Sequence, residues 1–121
     1  MQQQIRNATF LVATVAAVAA LPSTRADALA FKDIAGKWCT AGGTEQFDRE
    51  NLIAIPSSNG ERRVHPIVSY DFKESTITVI WKDNQGKTVE TSFGEFSANG
   101  RQMVQLPTEA GPRREFRRCE P

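Results

Sequence analysis

Few residues of this chain have the types and spacing that chemistry requires. His65 is the only histidine. A catalytic role would need a nucleophile and an orienting acid close to it. Ser69 and Asp71 share its face of an extended segment, but they follow at i+4 and i+6. At about 3.3 Å per strand residue they lie too far along for a triad. His65 is therefore expected as an exposed strand histidine. Asp48, Glu50, Asp71 and Glu74 fall at strand ends and turns with no fixed spacing, so they do not form a carboxylate pair for acid–base work. Gly42-Gly43 precedes no helix and is a turn rather than a phosphate loop. Two cysteines and one histidine are too few for a structural zinc site. No catalytic residue, metal or cofactor is expected.

Charge and aromatic residues supply the remaining candidates. Arg113, Arg114, Arg117 and Arg118 are the sharpest concentration of charge. Arg113, Arg114 and Arg117, with Arg62 and Arg63, are candidates for an anion-binding surface that would suit a lipid head group or an acidic glycan. Glu115 and Glu120 dilute it, and a solvated last strand is the plainer alternative. Tyr70, Trp81, Phe93 and Phe96 read as core. Tyr70 and Trp81 are the large residues that would line the mouth of an open barrel.

What must position these groups begins with the N-terminus. Arg6 precedes the apolar run Phe10–Leu21, which Pro22 ends, and small-residue patterns follow at Thr24-Arg25-Ala26 and Ala26-Asp27-Ala28. A basic start, a short apolar stretch and a small-x-small end describe a secretory signal peptide. The run is shorter than the roughly 20 apolar residues of a membrane span. Residues 1–26 are therefore expected to be removed, with cleavage after 28 as the alternative, leaving no transmembrane anchor. The whole chain holds 15 basic and 14 acidic residues, and residues 1–26 contribute Arg6 and Arg25 and no acid. The remainder, with 13 basic and 14 acidic residues, gives no case for nucleic-acid binding. An even cysteine pair in a short exported chain reads as a disulfide, Cys39–Cys119. Closing a loop of about 80 residues is worth roughly 4–5 kcal/mol in the chain-entropy model.

Residues 27–35 form a lead-in, a helical turn or loose segment anchored by Phe31 and Ile34. A single domain is expected over 36–121. Its strand candidates are Lys37–Thr40, Thr44–Asp48, Asn51–Ile55, a segment through Val64 to Phe72, Thr76–Trp81, Thr88–Ser97, Gln102–Leu106 and Arg113–Cys119. In the fourth, Val64, Val68, Tyr70 and Phe72 are assigned one face, and Arg63, His65, Ser69 and Asp71 the other. Pro66 there signals an edge, a bulge or a break. In the sixth, Phe96 returns to the side of Phe93 only if Gly94 marks a bulge. Turn signals recur about every 8–12 residues and no long helical stripe appears, which makes the fold all-β. An antiparallel meander of eight strands can close into an up-and-down barrel.

Successive strand residues face opposite sides. Trp38 inward puts Cys39 outward. Phe116 inward puts Arg114 and Arg118 inside, with Glu115, Arg117 and Cys119 outside. Both sulfurs then share one surface, and Arg118 meets the Trp38 indole.

Gly36-Lys37-Trp38 opening a strand meander, with an arginine in the last strand, resembles the calycin pattern of lipocalins. That resemblance implies an eight-stranded barrel closed at one end by Gly36, Trp38 and Arg118 and able to hold a ligand at the other. Lipocalins are longer, and the helix that follows their barrel has no room here. In size and strand pattern the chain is also similar to small exported bacterial lysozyme inhibitors, although their Ser-Gly loop motif is absent. The expected function is that of a periplasmic or secreted binding module, a monomer without catalysis, holding a small apolar ligand or a protein partner. An inhibitor of a secreted enzyme such as lysozyme, or a structural envelope protein, is the alternative. An enzyme would need a polar pocket with a perturbed titratable group, which the sequence does not predict.

Overall fold

A computed structural model describes residues 28–109 and 111–120. The expected signal peptide lies outside the described residues. One helical turn, α1 (Phe31–Ile34), leads into eight strands: β1 (Gly36–Thr40), β2 (Gly43–Phe47), β3 (Asn51–Pro56), β4 (Arg63–Phe72), β5 (Ile77–Lys82), β6 (Thr88–Gly94), β7 (Gln102–Gln105) and β8 (Arg114–Arg118). Each strand pairs antiparallel with the next, and β8 returns to β1 to close the barrel. The expected all-β architecture and its eight strands are present.

The closing seam is short. It consists of the pairs Trp38↔Arg118 and Cys39↔Arg117. Cys39 and Cys119 are joined in a disulfide beside it, with Cα atoms 5.1 Å apart. The sulfurs lie outside the barrel, and Trp38 lies inside with no exposed surface. The Trp38 indole N–H donates to the Ile34 carbonyl at 2.8 Å, so α1 is folded under the barrel as a plug. Ile34 is itself fully buried. The Arg118 guanidinium lies over the Trp38 ring, 3.9 Å from its centre, and donates to the Ala35 and Asp33 carbonyls. Gly36 has φ of 102°, a backbone region that disfavours a side chain. A Cβ there would stand 3.0 Å from Arg118 Nη1. Glycine at this position lets the guanidinium reach the indole.

Above this plug Phe47, Ile77, Val79, Phe93, Met103 and Phe116 fill the interior, each essentially without solvent contact. Phe93 meets Phe47 and Phe116 edge-on, with ring centres 5.4 and 5.8 Å apart. The turns 48–50, 73–76 and 95–101 share the lower, plugged end. The connections 41–42, 57–62, 83–87 and, of the last one, 106–109 and 111–113 surround the upper end.

Two local expectations change. In β4 the register shifts between Ile67 and Ser69, so Val68 is a bulge residue. An extra residue flips the face of everything before it. His65 and Ile67 therefore face inward together with Tyr70 and Phe72, and the assignment of Val64 and Val68 to the face of Tyr70 and Phe72 is wrong. Those valines are 45% and 54% exposed, whereas His65 is only 9% exposed. The β4–β5 ladder resumes with Tyr70↔Val79 and Phe72↔Ile77. β6 ends at Gly94 rather than continuing to Ser97. Glu95 takes φ of 52°, the one non-glycine residue with positive φ among the described residues, and this turn brings Phe96 back against the core.

Trp38→Ala should destabilise the protein by about 3–5 kcal/mol in denaturant unfolding; an unchanged midpoint would contradict the plug. Reducing the disulfide should cost up to about 4–5 kcal/mol. Free thiols on Cys39 and Cys119 in protein isolated under oxidising conditions would contradict the clasp.

Candidate functional site

The filled interior stops short of the upper end, where a cavity of about 200 Å³ opens. Its floor is Leu52 of β3 and Phe93 of β6, and its wall carries Glu45, Ala54, His65, Trp81, Thr91, Gln105 and Arg114. Strand alternation explains this set. Phe47 faces the core, so Glu45 two residues earlier faces the same way, nearer the upper rim. Arg114 stands two residues before Phe116, Gln105 two after Met103, Thr91 two before Phe93, and Trp81 two after Val79. An apolar lower layer thus continues into a polar upper layer.

The polar groups are connected. Arg114 Nη1 donates to Glu45 Oε2 and to Gln105 Oε1, both at 3.3 Å. The Glu45 side chain is 16% exposed and that of Arg114 35%. The Arg114 guanidinium also lies 5.0 Å from the centre of the Phe116 ring. Burial raises the Glu45 carboxyl above its ordinary value, and the charge and hydrogen bond of Arg114 pull the other way. Desolvation outweighs pairing, as expected for a buried ion pair in imperfect geometry. On the opposite wall the Trp81 indole N–H donates to Thr91 Oγ1 at 3.1 Å. The His65 ring packs against Trp81, with centres 4.9 Å apart and planes tilted by 53°. Among the described residues, neither nitrogen of the buried His65 has a hydrogen-bond partner.

The other candidates stand elsewhere. Trp81 lines the cavity, but Tyr70 lies at the lower end, where its hydroxyl donates to the Asp48 carbonyl at 2.7 Å and its ring meets Phe31 and Phe72. Burial pushes the Tyr70 hydroxyl well above its usual range, with Asp48 adding to the effect. Gly36, Trp38 and Arg118 come together at the lower closure. Arg113, Arg114 and Arg117 diverge. Arg113 is held by Glu95 at 2.7 Å, an exposed pair that lowers the Glu95 carboxyl below its ordinary value. Arg114 turns inward, and Arg117 faces solvent beside the disulfide. Of the acids, Asp48 accepts the backbone N–H groups of Glu50 and Asn51 in its turn, and Asp71 pairs with Lys73. His65 does not share a face with Ser69 and Asp71. Among the described residues no group of three or more His, Cys, Asp and Glu stands ready to hold a metal ion, and no helix is long and apolar enough to cross a membrane.

Glu45, Gln105, Thr91 and His65 were not expected at a site. Counting by twos from Phe47 would have found Glu45. His65 was hidden by the bulge. Compared with protein-family models, curated proteins and solved structures, the chain finds no match.

The raised Glu45 carboxyl sets the sign of a pH effect. Burial favours its protonated form more in the fold than in the unfolded chain, so its stabilising contribution is complete below the ordinary carboxylate range. That contribution is lost as pH rises through the raised value. As pH rises above the ordinary carboxylate range, about pH 4, wild type should lose stability relative to Glu45→Gln in denaturant unfolding. A relative gain with rising pH would show that the Arg114 pairing dominates.

Proposed function

We propose that this protein is an exported, lipocalin-like β-barrel binding module that takes a compact polar group at its upper mouth and performs no chemistry on it. The observation that carries the proposal is a small cavity of mixed apolar and polar lining at the one unplugged end, with a buried histidine in its wall that has no side-chain hydrogen-bond partner among the described residues. Buried polar groups are nearly always hydrogen-bonded, so the partners of His65 come from whatever enters the mouth. Export is supported by Arg6, the apolar run Phe10–Leu21 and the disulfide. The lipocalin-like reading is supported by the Gly36–Trp38–Arg118 closure. The filled interior argues against the apolar ligand expected from the sequence, because 200 Å³ falls below the roughly 300–1,000 Å³ of ordinary ligand pockets. The reading without catalysis rests on Ser69 and Asp71, the nucleophile and acid nearest His65 in its strand, which do not share its face of β4.

A second reading rests on the exposed valines of β4. Val64 pairs with Ile53 on β3, and with Val68 they give the outer wall an apolar stripe that suits a protein partner, such as a secreted enzyme to be inhibited.

Native mass spectrometry of protein purified from the cell envelope separates these readings. The expected species is a processed monomer beginning at residue 27 or 29, with a small adduct that Trp81→Ala removes. A full-length chain would contradict export, and bare protein in wild type and variant alike would contradict binding at the mouth. A protein complex that survives Trp81→Ala but not Val68→Asp would favour the outer wall.

A further inference from the structure

We propose that the upper cavity is built for a single neutral polyhydroxy ring, the size and chemistry of one sugar residue. The inference rests on the mouth being a binding site and names what it takes. Size is the first argument. The cavity of about 200 Å³ holds roughly the volume of six or seven waters at about 30 Å³ each. That suits one compact ring and excludes a fatty chain or a peptide strand.

Charge is the second. Glu45 and Arg114 face each other across 3.3 Å, so the cavity presents no unopposed charge. An anion would have to compete with Glu45 for Arg114, and a cation with Arg114 for Glu45. A neutral guest leaves the pair intact and hydrogen-bonds to both members.

Hydrogen-bonding capacity is the third. Arg114 makes both of its side-chain bonds through Nη1, and its Nη2 lies toward Gly42 at the rim. Gln105 accepts at Oε1 and keeps its amide N–H groups for a guest. Glu45 accepts at Oε2, and Oε1 has no partner among the described residues. His65 offers one donor and one acceptor. The wall therefore mixes donors and acceptors at short range, and a hydroxyl is the group that serves as both. A ring carrying several hydroxyls answers this wall better than a carboxylate, which only accepts, or an ammonium, which only donates.

Trp81 is the fourth. Its N–H is committed to Thr91, so it offers the guest an apolar ring surface. A sugar ring has both parts, an apolar C–H face for the indole and an equatorial belt of hydroxyls for the polar wall. Trp81 and the polar side chains of Glu45, Gln105 and Arg114 line this one cavity together.

The test is a nuclear magnetic resonance titration of the oxidised protein, reading the indole N–H signals of Trp81 and Trp38. Trp81 reports on the cavity and Trp38 on the plugged end. D-Glucose, D-galactose, D-mannose and N-acetyl-D-glucosamine are the probes, with sodium acetate and glycine as comparators. The proposal expects at least one sugar to move Trp81 saturably and leave Trp38 in place. Glu45→Gln should weaken that binding about tenfold, the loss of one charge-assisted hydrogen bond. Ala54→Leu, which fills the cavity and leaves every polar group, should abolish it in a protein whose Trp38 signal shows it folded. A trisaccharide of the responding sugar that binds more tightly points to the end of a glycan, and equal affinity points to the free monosaccharide. Acetate or glycine shifting Trp81 while no sugar does would overturn the sugar assignment and leave the mouth as a binding site. No shift from any probe would also overturn the sugar assignment; the native mass spectrum then decides whether the mouth binds anything.

Discussion

The barrel depends on Arg118 lying across Trp38. Closing a meander requires its first and last strands to meet, and here they meet over only two residue pairs. So short a ladder is weak by itself. Stacking on the indole adds a contribution of about 0.5–2 kcal/mol, and the same guanidinium bonds the Asp33 and Ala35 carbonyls, so one side chain ties α1, β1 and β8 together. The disulfide holds the seam from outside. Burial pulls the Arg118 guanidinium below its usual value, the direction expected for a cation moved partly out of water. Glycine at position 36 is the local condition for this contact.

That closure makes the two ends unequal. The lower end has a tryptophan, an isoleucine and a helical turn packed into it, and the core above is continuous through Phe47, Phe93 and Phe116. The barrel's interior opens into a cavity at the upper end, where polar side chains join the apolar wall. A partly buried ion pair such as Glu45–Arg114 offsets little more than its desolvation and is seldom worth more to stability than apolar residues of the same volume. An unpartnered buried histidine is a cost. Departures of this kind from an otherwise consistent sequence concentrate at functional sites, and here two of them share one small cavity.

Much of the fold was legible because two-residue alternation and turn signals carry it. Trp38 and Phe116 alone oriented the first and last strands, and from them followed the side of each cysteine and the meeting of Arg118 with Trp38. The same count applied to Phe116 put Arg114 inside. The same alternation counted from Phe47 turns Glu45, the partner of Arg114, inward, but no charge pattern in the sequence singles Glu45 out. β4 was misread for a physical reason. A bulge at Val68 inverts the alternation, and its only local sign was Pro66, which has three structural meanings. The inverted face concealed His65 and put two exposed valines on the side of Tyr70 and Phe72. Tyr70 and Trp81 were paired as mouth residues because both are large and amphipathic. Which end each occupies depends on strand direction, and the two lie at opposite ends.

The two tryptophan indoles offer the most direct test of a barrel plugged below and open above. Both N–H groups are hydrogen-bonded, Trp38 to a buried carbonyl under the plug and Trp81 to a threonine hydroxyl in the mouth. Hydrogen exchange at these two sites, read in one experiment on the oxidised protein, separates burial from hydrogen bonding. The account predicts that the Trp38 indole exchanges only with global unfolding and that the Trp81 indole exchanges far faster through the open mouth. Equal protection at both, or faster exchange at Trp38, would contradict it.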